Sequence, residues 1–289
     1  MIAALNYANA AYKKHQRLNS WTAKNIGKVD KVYSFSPENI DSDFYEQNKN
    51  ILSEKRGNGL WLWKPYFIQK VMSELKYGDC LVYVDSGAFY VRNVRPLIDK
   101  LKSSGQDIML FELPLIECQW TKKAVFEALN IYDEKTRFSN QTLGTIIVIV
   151  ISEKSIKFIN KWLQLCQKEI LIFPKEKDET EDNLYIEHRE DQSILSTLGK
   201  KENIIPFSDP TDRGKYLFAY LAFNRFFLKK EKEDKYSIKK TFFILNKSHN
   251  LFFYLFGIFL SRIIQGLLFV LKCVDWVGSP VKFIRKIKE

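Results

Sequence analysis

The chain has 289 residues, 46% of them hydrophobic and 15% aromatic, and a net charge of +11. That length suits one large domain with an appendage, and the apolar content supports a sizeable core. Cys80, Cys118, Cys166 and Cys273 are scattered, with no CxxC pair and no histidine cluster, so neither a zinc site nor a disulfide framework is indicated and a reducing, cytoplasmic setting fits best.

The charge is unevenly spread. Residues 229–289 carry 13 Lys/Arg against 5 Asp/Glu, whereas residues 1–228 carry 32 against 29. A near-neutral body with a basic, apolar tail points to a membrane surface and away from nucleic acid. The expected division is a working domain over 1–228 and a membrane-associating helical tail over 229–289.

The opening MIAALNYANAAYKKHQ lacks the basic start of a secretory signal, and its apolar run is interrupted by Asn6 and Asn9. A first strand is expected over Ile2–Tyr7, then a helix over 10–26. Residues 29–36 predict a second strand, ended by Pro37, and residues 42–53 a helix. In RGNGLWLWKPY two glycines predict a flexible turn, and Pro65 suits the first turn of a helix running to about Leu75.

GDCLVYVDSG, residues 78–87, predicts a strand buried on both faces that delivers Asp85 at its carboxyl end. Ligands in open α/β sheets bind beyond such ends. A turn-capping aspartate is the alternative for Asp85 taken alone. Further strands are expected over 108–113 and 142–152, the latter a β-branched run, with helices over 122–129, 155–166 and 187–201. Residues 175–183 predict a solvated loop or helix start. Alternating strands and helices predict an α/β fold with a mainly parallel central sheet flanked by helices. Neither GxGxxG after the first strand nor GxxxxGK[ST] is present.

Residues 250–272 are long enough and apolar enough to cross a bilayer. At 100° per residue, however, Gly257, Ser261, Gln265, Lys272 and Asp275 fall within an arc of roughly 80°. Basic residues flank the segment on both sides, and Tyr254 and Trp276 suit interfacial anchors. The pattern predicts a helix over 250–276 lying in the membrane interface, with a spanning helix or a helical subdomain on the body as alternatives.

Three stretches, RGNGLWLWKPY (56–66), GDCLVYVDSG (78–87) and EHREDQS (187–193), stand in an order that resembles bacterial glycosyltransferases of the GT-A fold from capsule and lipopolysaccharide gene clusters. The opening Asn-Tyr-Ala-Asn and QWTKKAVF (119–126) add to the resemblance, which covers about residues 1–205. It implies a Rossmann-like GT-A sheet and transfer of a sugar from a nucleotide-diphosphate donor, UDP favoured, to an acceptor hydroxyl; the membrane-associating tail adds the expectation of a lipid-linked or surface-glycan acceptor at the cytoplasmic face of a membrane.

The resemblance also implies site residues. Asn6, Tyr7, Arg56, Trp63, Lys64, Asp85, Ser86, Gly87 and Lys122 would bind the donor; Asp191 and Asp85 would be catalytic; Arg189 and Gln192 would hold sugar or acceptor. GT-A enzymes usually carry Asp-x-Asp for Mn²⁺ or Mg²⁺. Here the motif reads Asp85-Ser86-Gly87, without the second acid, so Asp85 would hold the metal with His188, or bind sugar hydroxyls, or work where cations replace the metal. Gly87 would let a diphosphate approach the backbone, or simply make a tight turn. Trp61 or Trp63 would stack on base or sugar, although at least one belongs to a core. A scaffold of a glycan-assembly complex and a sugar-phosphate nucleotidyltransferase are the competing classes.

Overall fold

The computed structural model describes residues 1–215 and 233–245, with 256, 259 and 263 as isolated helical positions. Its strands are β1 (Ile2–Tyr7), β2 (Lys31–Phe35), β3 (Cys80–Val84), β4 (Ala88–Tyr90), β5 (Ile108–Met109), β6 (Phe111–Ile116), β7 (Asn140–Thr142), β8 (Ile146–Val150), β9 (Phe207–Ser208) and β10 (Phe243–Leu245). The longer helices are α1 (Lys13–Asn25), α2 (Trp63–Met72), α3 (Arg95–Ser104), α4 (Glu153–Cys166) and α5 (Glu190–Lys201).

Five strands form the central sheet in the order β2-β1-β3-β8-β5. β1 pairs in parallel with β2 and β3, and β8 runs antiparallel between β3 and β5. The sheet is thus mainly parallel and mixed, as the α/β alternation predicts. Alternate side chains of each strand enter opposite cores because the side-chain period is two. Leu5, Leu81, Tyr83, Ile147 and Ile149 join the core that contains Phe67 and Val71 of α2 and Ile159 and Trp162 of α4. Ala4, Val82, Val84, Ile146 and Val148 join the other, with Ala23 of α1 and Leu97 and Leu101 of α3. Burial on both faces explains why β3 and β8 are continuous apolar runs.

Several expected boundaries move. The strand expected over 108–113 breaks at Leu110 into β5 of the central sheet and β6, which pairs with β7 and β9. The run 142–152 divides between the end of β7 at Thr142 and β8 over Ile146–Val150. The helix of 155–166 starts two residues earlier because Ser152 and Ser155 form a reciprocal cap. The helix of 42–53 divides at Asn48 into Ser42–Gln47 and Lys49–Leu52.

β10 returns the chain to the end of the sheet by pairing antiparallel with β4, Leu245 opposite Ala88. The helix expected over 250–276 lies outside the described residues except at Phe256, Phe259 and Ile263, which are helical and exposed. Among the described residues no helix is long and apolar enough to cross a membrane.

Candidate functional site

Tyr7 ends β1 and Asp85 follows β3, so both stand at the carboxyl ends of neighbouring parallel strands. A cavity of about 490 Å³ opens there, lined by these two together with Ser86, Gly87, Trp61, Trp63 and Gln192. Open α/β sheets bind ligands at this edge.

The turn after β3 is fixed from below. Asp85 N–H donates to Thr145 O and Ala88 N–H to Asp85 O, both at 2.9 Å. The Asn19 amide of α1 donates to the carbonyls of Asp85 and Ala88, and accepts in turn from Asn6 at 2.8 Å. Asn6, expected among the donor-binding residues, lies outside the described cavity lining. It is wholly buried and points to α1, because it faces the opposite way from Tyr7 on the same strand. Ser86 Oγ donates to the Tyr7 carbonyl, locking the two strand ends together. At Gly87 an added Cβ would meet nothing within 4 Å, so the backbone there faces open space.

The wall opposite is made by residues 57–61. All five have φ between +50° and +93°, a left-handed turn in which Asn58, Leu60 and Trp61 are not glycine. Each non-glycine residue costs roughly 1–2 kcal/mol there. The turn is held by Asn58, whose amide donates to the Tyr7 hydroxyl, and by the Trp63 indole, which donates to Gly57 O at 2.9 Å. Trp63 also stacks on Tyr7 with centroids 3.8 Å apart. Trp61 and Trp63 thus both line the cavity, and Trp63 belongs to the core as well.

Beneath the floor, Lys64 is buried with its ammonium 2.7 Å from Asp191 Oδ2, 3.8 Å from Asp85 Oδ1 and 3.1 Å from the Gly144 carbonyl. Burial opposes its charge, yet Asp191 and Asp85 together hold its pKa above the ordinary lysine value. Burial pushes the Asp191 carboxyl up to about 6 against the pull of Lys64, which leaves the pair ionised at pH 7. The Tyr83 hydroxyl donates to the same Asp85 oxygen.

The remaining expected residues divide into two groups. Arg189 and Gln192 line the cavity. Gln192 accepts from Gly144 N–H at 3.1 Å and donates to Gln141 at 2.8 Å, and Arg189 lies over the Trp120 ring at 4.1 Å. Arg56, Lys122 and His188 lie outside that lining. Arg56 pairs with Glu190 at 2.6 Å. Lys122 is buried and donates to Phe173 O at 2.5 Å, and burial, opposed by Glu181, lowers its pKa to about 8. His188 is buried beside Lys122, and its burial, reinforced by that cation, keeps it neutral.

The residues do not suit a divalent metal at Asp85. Among the described residues no three His, Cys, Asp or Glu side chains gather in a metal-holding group. Among the described residues Asp85 is the one carboxylate on the cavity lining, Asp191 is turned to Lys64, and His188 is outside the lining. Hard dications prefer several oxygens without a cation beside them.

Lys55, Asn58, Arg213 and Leu245 also line the cavity and have no counterpart in the sequence reading. The Gly-Asn-Gly of 57–59 signals left-handed backbone for Asn58. Arg213 and Leu245 come from distant segments that no local pattern connects to β3.

No family model matches the sequence, and no curated protein matches it. Solved structures similar to the chain include mouse xyloside xylosyltransferase 1, at 10% identity and a TM-score of 0.46, covering 86% of this chain and 98% of that one. Another is the galactosyltransferase LgtC in complex with donor and acceptor sugar analogues, at 11% identity and a TM-score of 0.48, covering 86% and 87%. The glycosyltransferase GlyE of Streptococcus pneumoniae is similar at 15% identity and a TM-score of 0.41, covering 93% of this chain and 63% of its own.

Proposed function

We propose that this chain is a glycosyltransferase that moves a sugar from a nucleotide-diphosphate donor, UDP favoured, to a hydroxyl of a lipid-linked or surface glycan. The observation that carries the reading is the Asp85-Ser86-Gly87 turn, opening at the carboxyl end of β3 into a cavity walled by Tyr7, Trp61 and Trp63. The exposed backbone at Gly87 suits phosphate oxygens, the aromatic rings suit a base or a sugar face, and Asp85 and Gln192 suit sugar hydroxyls.

The cytoplasmic face of a membrane is the proposed place of work. Leu245 both lines the cavity and stands five residues before the amphipathic segment 250–276. Five extended residues reach about 18 Å at most. A tail lying on the lipid would therefore keep the cavity near a lipid-linked acceptor, and confinement to the surface raises the effective concentration of both.

A panel of UDP, GDP, CMP and TDP sugars tests the reading by thermal shift and slow hydrolysis on the wild type and on Asp85→Ala. One nucleotide class should stabilise the wild type and lose its effect in the variant. If no nucleotide sugar binds, the site is not a donor site and the reading fails.

A further inference from the structure

We propose that the charge of the donor's diphosphate is taken up by Lys55, Arg189 and Arg213 and that transfer proceeds without a divalent metal. The inference rests on the glycosyltransferase reading and concerns how the same cavity handles its leaving group. When the bond from sugar C1 to the diphosphate oxygen breaks, its electron pair leaves with the diphosphate. The acceptor oxygen bonds to C1, and the acceptor's proton is released with the nucleoside diphosphate. Negative charge gathers on the departing phosphates, so a cation must face them.

The described lining of the cavity holds three cationic side chains from three separate segments. Lys55 precedes the left-handed turn, Arg189 precedes α5, and Arg213 follows β9. Against them stands one lining carboxylate, Asp85, whose nearest cation is already built in at Lys64. A dication at Asp85 would meet the Lys64 ammonium and find no second carboxylate, whereas a diphosphate in the same space meets net positive charge.

Structure around the cavity holds the Arg189 guanidinium and the backbone turn that carries Arg213. Arg189 lies over the buried Trp120 ring, 4.1 Å from its centroid, with its Nε 3.8 Å from the half-exposed Glu187 carboxylate, and these contacts orient the guanidinium before any ligand arrives. Arg213 sits in the turn Asp209-Pro210-Thr211-Asp212-Arg213-Gly214. The buried Asp209 carboxylate accepts from Thr211 N–H at 2.8 Å, and Gly214 packs so closely that an added Cβ would come within 2.5 Å of the Asp209 carbonyl. Asp212 accepts from Leu245 N–H at 2.9 Å and ties this turn to β10, whose Leu245 lines the cavity. Planar guanidinium groups match phosphate oxygens two at a time.

The test is the binding of UDP and GDP to the full chain by calorimetry in excess chelator, then with Mn²⁺ or Mg²⁺ in place of the chelator. Inorganic pyrophosphate separates recognition of the diphosphate from recognition of the nucleoside. Wild type, Arg213→Ala, Lys55→Ala and Arg189→Lys are compared, with Lys157→Ala on the far helix α4 as the control and thermal melts to verify folding. The expected result is binding in chelator that either metal changes by less than about threefold. Arg213→Ala and Arg189→Lys should each weaken it at least about tenfold, Lys55→Ala less, and the control not at all. Binding that requires metal, or an Arg213→Ala variant that melts like wild type and binds equally well, overturns the proposal while leaving the glycosyltransferase reading intact. Failure of every nucleotide to bind, with or without metal, overturns both.

Discussion

Lys64 and Asp191 form a buried ion pair 2.7 Å apart directly beneath the cavity floor, each of them under 4% exposed. The pair joins the start of α2 to the start of α5 and sets the ammonium 3.8 Å from Asp85. Asp191 therefore positions Lys64, and through it Asp85. Removing one partner leaves a buried charge uncompensated, which costs about 3–5 kcal/mol, whereas replacing both by apolar groups is close to neutral. Denaturant unfolding should show Asp191→Ala and Lys64→Ala strongly destabilised and Lys64→Met/Asp191→Leu near wild type. Donor binding should be lost in that double variant too, because Asp85 has lost its cation. A double variant as unstable as the singles would mean that the pair contributes packing rather than charge compensation.

The left-handed turn makes a second expectation. Gly57 has φ +60°, and an added Cβ would lie 2.2 Å from the Trp61 ring. Gly57→Ala must either displace the indole or unwind the turn. It is expected to cost at least ~2 kcal/mol in unfolding free energy and to weaken donor binding more than about tenfold. Gly78→Ala supplies the comparison, since Gly78 has φ +85° but nothing within 4 Å of the added atom. Equal losses at the two positions would assign the effect to backbone strain alone.

Much of the frame was legible because its signals are local. The apolar runs of β3 and β8 announce burial on both faces, and the turn residues after Val84 place Asp85 at the strand's end. What escaped depends on direction and on distance along the chain. Asn6 and Tyr7 are neighbours, yet the pleat sends one to α1 and the other to the cavity. Lys64 was expected to bind the donor, and its burial is explained only by the arrival of Asp191, 127 residues later. Arg213 and Leu245 reach the site through β9 and β10, strands of two and three residues that are too short to carry a periodic signal.

The tail leads to a vesicle experiment. Phe256, Phe259 and Ile263 are exposed and fall within about 60° of one another at helical spacing. Projected from the sequence at 100° per residue, Gly257, Ser261 and Gln265 fall on the opposite arc, and the surrounding segment carries the chain's basic excess. Removing residues 246–289 should abolish co-sedimentation with anionic vesicles and leave nucleotide binding unchanged. Since each surface Lys or Arg contributes roughly 1 kcal/mol, vesicle binding by the full chain should fall steeply with salt. Full-chain binding to neutral vesicles that ignores salt would point to apolar insertion alone.

Glu190 links stability to pH. It is 2% exposed, lies at φ +35° at the start of α5 and is paired to Arg56 across the cavity wall. Burial raises its pKa from 4.5 to about 7, against the opposing pull of Arg56. A carboxyl with a raised folded-state pKa binds more protons in the native state than in the unfolded state between those two values. Its contribution is therefore fully present below pH 4.5 and is lost as pH rises through about 7, a change of up to ~3 kcal/mol. Glu190→Gln keeps the shape and removes the titration, so the variant's stability should decline less than that of the wild type between pH 5 and 8. Urea unfolding at half-unit intervals reads this difference directly. Parallel curves would mean that Arg56 holds the carboxylate ionised throughout, and the latch between the left-handed turn and α5 would then be independent of pH.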